Sequence, residues 1–265
     1  MRILWVAVDE PIYLNPYLDR VLAGTKDRVV GVFRYIGSSR GKHIFRDWLL
    51  ARLVFSTNDL LFMSFRVLRS LFTRCRKGSL SEIAERRGVP YEEVANLNSA
   101  QFIRKVREYE TDILFIQVPQ ILKAETLKAP RIATLNRHMA LIPNYQGAFP
   151  VFWQMYYAET TFGLTIHVVD EGIDTGPIVV QKRVPRRAEW RKPADAYREL
   201  FSQSPDLTLQ ALDRIRNQGA SAWAVPTGGG SYFRKPMVRD LVRFYMRKQP
   251  PPTMRSLLPP PRPHG

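Results

Sequence analysis

The chain is short of cysteine, of acid, of glycine behind its first strand and of long uncharged apolar runs, and each shortage excludes something. Cys75 is the single cysteine in 265 residues, so an intramolecular disulfide and a cysteine metal cluster are both excluded. The basic neighbours in Thr73-Arg-Cys-Arg-Lys77 favour its thiolate, yet a bystander thiol is the simpler expectation. The turn from Asp9 to Pro16 contains no glycine, which removes the phosphate cradle of a dinucleotide site. The apolar runs 48–55 and 60–72 are interrupted by Arg52, Arg66 and Arg69, with Asp59 between them, and this argues against a membrane span. Residues 1–8 are too short for a secretory segment and run straight into Asp9 and Glu10, so a cytoplasmic location, peripheral to a membrane at most, is expected. Acid is the largest shortage: 24 Asp and Glu against 40 Lys and Arg leave a net charge of +16. Residues 37–80 carry +7 and residues 234–265 another +7, and the rest of the chain is nearly neutral. An anionic partner therefore meets these two segments first, whether a membrane surface or RNA contacted through 37–80 and 234–262, or a phosphate on a small molecule.

What is present reads as alternating strands and helices. Arg2-Ile-Leu-Trp-Val-Ala-Val8 is a buried strand, 16–22 a short helix and 28–36 the second strand of a β-α-β unit. A capped helix over 81–88, a strand over 89–94, a helix over 99–106 and a central strand over 111–117 continue the pattern. Such alternation predicts an α/β domain with a mainly parallel twisted sheet flanked by helices. Residues 150–159 predict an aromatic helix packed on the sheet, 193–201 and 206–217 two covering helices, and 240–247 a last basic one. Residues 37–80 read as a helical insertion with two open interpretations. Its helices pack on the core with arginine stems reaching water, or they form a basic amphipathic surface for anionic lipid or an acidic acceptor. The expected organisation is a domain over 1–226 and a basic extension over 227–265, proline-rich and disordered from about residue 249.

Most of the chemistry lies between residues 132 and 180. Asn136 and His138 are two residues apart at the end of an apolar run, so on a strand they share a side. The alternating run Gly163-Leu-Thr-Ile-His-Val-Val169 is a second strand, and Asp170-Glu-Gly-Ile-Asp174-Thr-Gly-Pro177 is the loop after it. A carboxylate on that loop can reach a neighbouring strand end, which gives an Asn/His/Asp site. The amide supplies donors that need no ionisation, and a carboxylate beside the imidazole favours the imidazolium. The trio suits a carbonyl oxygen that turns negative while an attacking amine or water sheds a proton. The residues alone leave open that His138 and Asp174 are polar groups satisfied locally. No metal site is expected.

Asn136-Arg-His138-Met-Ala-Leu-Ile-Pro143, Tyr145-Gln-Gly147, Thr165-Ile-His167 and Asp174-Thr-Gly-Pro177, in this order and spacing, resemble the N10-formyltetrahydrofolate-dependent formyltransferases. The likeness is close over 111–185 and general elsewhere. It implies a formyltransferase-like, Rossmann-like domain that uses N10-formyltetrahydrofolate as formyl donor. It also implies a catalytic triad of Asn136, His138 and Asp174, in which Asp174 keeps His138 charged and the two other groups steady the oxyanion. The loop after the central strand, Gln120, Ile121 and Leu122, is implied to contact the folate together with Asp170, Glu171, Gly172 and Ile173. Tyr145, Gly147 and His167 are implied to border the acceptor. One departure is Ala140, where many members carry serine.

The expected reaction is formyl transfer to a primary amine, with an amino sugar on a nucleotide or lipid phosphate as the favoured acceptor. Methionyl-tRNA formyltransferase is similar in the core and would account for the positive charge. Formyltetrahydrofolate hydrolysis, and a basic adaptor on nucleic acid or membrane, are the rivals from other classes.

Overall fold

Strand β1 (Arg2–Ala7) has five consecutive apolar residues, a run buried only where a sheet is covered on both faces. Ile3, Trp5 and Ala7 enter one core while Leu4 and Val6 enter the other, as the two-residue period of a strand requires. The structure, a computed structural model, describes residues 1–37, 50–72 and 78–247. Cys75, the first part of the insertion and the proline-rich stretch beyond 249 lie outside the described residues.

On one side of β1 lie β2 (Arg28–Tyr35) and then β3 (Tyr91–Val94); on the other lie β4 (Ile113–Gln117) and β5 (Ala133–His138), all parallel. The sheet continues through two antiparallel strands, β7 (Thr161–Val168) and β8 (Ile178–Pro185), to give the order β3-β2-β1-β4-β5-β7-β8. A two-residue strand β6 (Gln146–Gly147) pairs in parallel with β9 (Tyr232–Phe233) outside this sheet. The strand order reverses direction between β1 and β4. A crevice therefore opens at their carboxyl ends, where open α/β sheets take ligands.

Helices α1 (Leu14–Gly24) and α7 (Pro193–Gln218) cover one face. Helix α4 (Ala100–Glu108), capped by the Ser99 hydroxyl on the Phe102 N–H, covers the other through Phe102 and Val106. Trp5 stacks on Phe115 at 4.1 Å between ring centres. Phe115 is wholly buried, and its truncation to alanine should cost about 3–5 kcal/mol. The two helices expected over 193–201 and 206–217 are one helix that runs through Pro205. Proline removes one helix bond there. Leu200, Leu207, Ala211 and Ile215 nevertheless face the same core, and that shared burial keeps the axis continuous.

In the described part of the insertion, residues 50–54 are helical and α2 (Thr57–Phe72) follows. Leu50 and Leu53 join the main core. Phe55 stacks on Tyr13 at 5.7 Å, and the Tyr13 hydroxyl donates to Asp59. The insertion is thus packed on the domain, while Leu61, Phe62 and Phe65 face solvent. The chain after residue 226 also returns to the domain: Phe233, and then Leu241 and Phe244 of the helix over Val238–Met246, belong to the main core. No helix among the described residues is long and apolar enough to cross a membrane.

Candidate active site

Asn136 and His138 close β5 on one side of the strand, with Arg137 between them on the other. Antiparallel β7 sets His167 opposite Asn136 and Thr165 opposite His138. The loop from β7 to β8 then delivers Asp174 between the two imidazoles. Its Oδ2 lies 3.3 Å from His138 Nδ1 and its Oδ1 lies 3.4 Å from His167 Nε2. Asp174 sits at φ 53°, a left-handed conformation that aspartate tolerates better than most residues. Its carboxylate also accepts the Gly147 N–H at 2.9 Å. Glycine is required at 147: φ is +91°, and a β-carbon would stand 2.4 Å from the Phe233 carbonyl.

Burial is the largest influence on the Asp174 carboxyl and alone would raise its pKa. His138, His167 and the Gly147 amide outweigh it and hold the group well below the usual carboxylate range. Burial also dominates at His138 and pushes it below its ordinary value; the Asp174 charge pulls upward and does not prevail. Asp174 thus favours the charged ring, as expected, but its pull is opposed by a more complete desolvation of His138 than the sequence setting suggests. Both ring nitrogens face acceptors: His138 Nε2 is 2.8 Å from the Tyr145 carbonyl and Nδ1 is 3.3 Å from the Asp174 carboxylate. A neutral ring, with a single N–H, therefore supplies a proton to one of the two and an imidazolium to both.

The Asn136 amide is oriented from below. Gln117, at the end of β4, donates from Nε2 to Asn136 Oδ1 at 2.6 Å. Its own carbonyl accepts from Arg137 Nε at 3.0 Å and Nη2 at 2.8 Å. The buried Arg137 guanidinium lies over the rings of Tyr17 and Phe201 and donates to the Ser204 hydroxyl. With Oδ1 committed to Gln117, Asn136 Nδ2 points the opposite way, 3.5 Å from His167 Nε2.

These groups lie at one wall of a cavity of about 670 Å³. Gln120, Ile121 and Leu122 line it, as do Asp170, Gly172 and Ile173. Glu171 is exposed and outside the lining. Core packing does not account for Ile121, which is 64% exposed; Leu122 is buried in the second core as well as bordering the cavity. The Gln120 amide is taken by Asn96 and the Leu97 N–H, so it holds its loop in shape. Asp170 likewise accepts from Gly172 and Thr175 and shapes its own turn. Gly147 and His167 line the cavity, but the Tyr145 side chain does not. A positive φ at Tyr145 turns its carbonyl to His138 and its ring into the core, stacked on Phe233 with its hydroxyl on Glu159. Sequence reasoning missed Gln117, Arg137 and the Tyr232, Arg234 and Lys235 rim. A glutamine ending an apolar strand and an arginine between the two site residues were the available signals for the first two. The rim had none, because only the β6–β9 pairing brings it there.

Residues 70–199 match the family model described as formyl transferase. A methionyl-tRNA formyltransferase of Deinococcus radiodurans is 36% identical over 115 residues, which are 43% of this chain and 36% of that protein. The methionyl-tRNA formyltransferase of Gloeothece citriformis is 39% identical over 119 residues, 44% of this chain and 35% of that protein. The matches thus span about a third of the length of these curated relatives. Among solved structures, glycinamide ribonucleotide transformylase 1 from Symbiobacterium toebii aligns with a TM-score of 0.59 at 18% identity, covering 82% of this chain and 88% of that one. A sugar N-formyltransferase from a Shewanella species aligns with a TM-score of 0.56 at 18% identity, covering 92% of this chain and 86% of that one. At such identity these two establish the shared fold alone. The sequence matches place residues 70–199 of this chain in the formyl transferase family.

Proposed function

We propose that the protein transfers a formyl group from N10-formyltetrahydrofolate to a primary amine, the amine of an amino sugar attached to a nucleotide or a lipid phosphate. The observation that carries this reading is Asp174 set between His138 and His167 beside Asn136, at the wall of a cavity of about 670 Å³. Ile116, Val118, Ile121 and Ile173 offer apolar surface to a flat ring system, and the donor supplies the activated formyl carbon. The acceptor nitrogen bonds to that carbon and the bond from the carbon to N10 breaks; the amine gives up one proton and N10 takes one. Asn136 Nδ2 donates to the oxygen that becomes negative. His138 enters neutral. A proton gained by the ring lets both nitrogens donate at once, to Tyr145 and, as a charge-assisted hydrogen bond, to Asp174, so the pair takes up the amine's proton as a unit.

The catalytic unit in this reading is residues 1–226, and the described part of the 227–265 extension completes the cavity rim through Tyr232, Arg234 and Lys235. A methionyl-tRNA acceptor is the second reading, favoured by the names of the relatives at 36–39% identity. The test is incubation with N10-formyltetrahydrofolate and, separately, sugar-nucleotide amines, methionyl-tRNA and buffer alone. A product heavier by one formyl group names the acceptor. Formate released without an amine indicates hydrolysis, and an unconsumed donor in every arm overturns formyl transfer.

A further inference from the structure

Three hollows share wall residues in pairs, the first two at Asn136. The large cavity and a second one of about 360 Å³ share Val118, Pro119 and Asn136 as their common wall. Asn136 therefore borders both hollows, with its Gln117-held oxygen end toward the second and its Nδ2 toward His167 in the first. Val8, Leu14, Val54, Met139 and Phe201 make this second cavity largely apolar. Its polar groups are engaged by the protein: Gln117 and Arg137 hold each other. The Glu10 carboxylate accepts the N–H groups of Ile12, Tyr13 and Leu14 at 2.5, 2.9 and 2.9 Å. The start of α1, where a helix would receive a phosphate, is thus filled by the chain's own carboxylate.

Phe55 lines the second cavity and also a third hollow, a groove of about 490 Å³ between residues 52–60 and the helix α8 (Val238–Met246). Leu60, Leu241, Val242 and Tyr245 are among its lining residues. Met246 in the groove is 80% exposed, and Phe62 and Phe65, on the same helix as Leu60, are 50% and 60% exposed. Cations stand among these side chains, Arg52 and Lys192 in the groove and Arg239, Arg243 and Arg247 on or just after α8, all exposed. Apolar rings interleaved with cations are the composition of a surface that lies on anionic lipid.

We propose that the acceptor is a primary amine carried on a lipid-like apolar chain: the amine meets Asn136 through the second cavity, and the chain passes Phe55 into the groove at an anionic membrane surface. This rests on the formyl-transfer reading and selects the lipid-borne acceptor over the nucleotide-borne one. A phosphate-anchored acceptor finds the helix start closed, whereas an apolar chain finds two apolar hollows with Phe55 as their common wall.

The probes are butylamine, octylamine and dodecylamine below their micelle concentrations, with binding read by calorimetry and product by mass after addition of the formyl donor. Affinity should rise about fourfold for each methylene that is buried. Val242→Asp, at an exposed position away from the catalytic groups, should abolish this dependence on length while butylamine binding and the melting temperature stay unchanged. Vesicles of phosphatidylcholine with phosphatidylglycerol should sediment the protein, those of phosphatidylcholine alone much less, and Phe62→Glu with Phe65→Glu should release it. Affinity that does not depend on chain length, or equal loss of short and long amines in Val242→Asp, overturns the proposal. So does formylation of a sugar-nucleotide amine that dodecylamine does not compete, an outcome that leaves formyl transfer standing. Length-dependent binding without a formylated product fails the transfer reading and leaves the groove assigned.

Discussion

Gln117 Nε2 donates to Asn136 Oδ1 across 2.6 Å, and this contact decides which end of the Asn136 amide faces the cavity. An amide whose oxygen is held can present only N–H to a developing oxyanion. Gln117 is thus a positioning residue, itself held by the buried Arg137. Gln117→Ala should lower kcat about tenfold, the equivalent of about 1.4 kcal/mol and of one hydrogen bond, with KM for the donor little changed. Steady-state kinetics in an Asn136→Ala background is the check. A residue that acts through Asn136 has no effect left to give there, whereas a merely structural one still lowers the rate.

Asn136→Ala should itself reduce turnover roughly 100- to 1,000-fold, as removal of one preorganised oxyanion donor does elsewhere. The residue is only half-buried at the cavity wall, so the far-ultraviolet dichroism should match wild type. Turnover near the wild-type rate would remove the amide from the catalytic assignment.

Asp174→Asn keeps a residue that accepts φ 53° and removes only the charge. Without the carboxylate the His138 ring loses its upward pull and should titrate lower still, by carbon-13 resonance of the labelled imidazole. Turnover should drop at least 100-fold, since a proton gained by His138 then has no partner.

Acid should weaken the fold in two stages. His138 is depressed below 6.5, so beneath that pH the unfolded chain takes up a proton that the buried ring refuses, and stability falls as pH drops. Asp174 is depressed below 3.8, so its contribution is present above that value and lost beneath it. Melting temperatures recorded from pH 8 to pH 3 should be level above about 6.5 and decline below. His138→Gln should flatten the first decline and, because it removes a charge that holds Asp174 down, lessen the second.

Gly147→Ala forces a β-carbon to within 2.4 Å of the Phe233 carbonyl at φ +91°. It should cost about 1–3 kcal/mol and loosen the Gly147 hold on Asp174. Denaturant unfolding measures the first effect and turnover the second.

The fold class was legible because burial on two faces writes itself as unbroken apolar runs, as in residues 3–7, and such short runs between turn signals read as central strands. Pro205 misled for the opposite reason. A local breaker signal predicts two helices, and burial of Leu200 and Leu207 against one core overrides it. Asn136 and His138 could be paired from their two-residue spacing alone, since that spacing is a geometric property of any strand. Tyr145 could not be placed, because a positive φ decides whether its ring or its carbonyl meets the site.

The sequence by itself therefore determined the α/β domain, the shared side of Asn136 and His138, and a carboxylate loop able to reach them, all consequences of local periodicity and turn chemistry. Only the tertiary structure decided that His167 shares Asp174, that Gln117 turns Asn136, and that Phe55 stands between two hollows. It also decided that burial, more than the Asp174 charge, governs the His138 ring. Each of these depends on which distant segments pack together and how much water they exclude, and neither quantity is carried by neighbours along the chain.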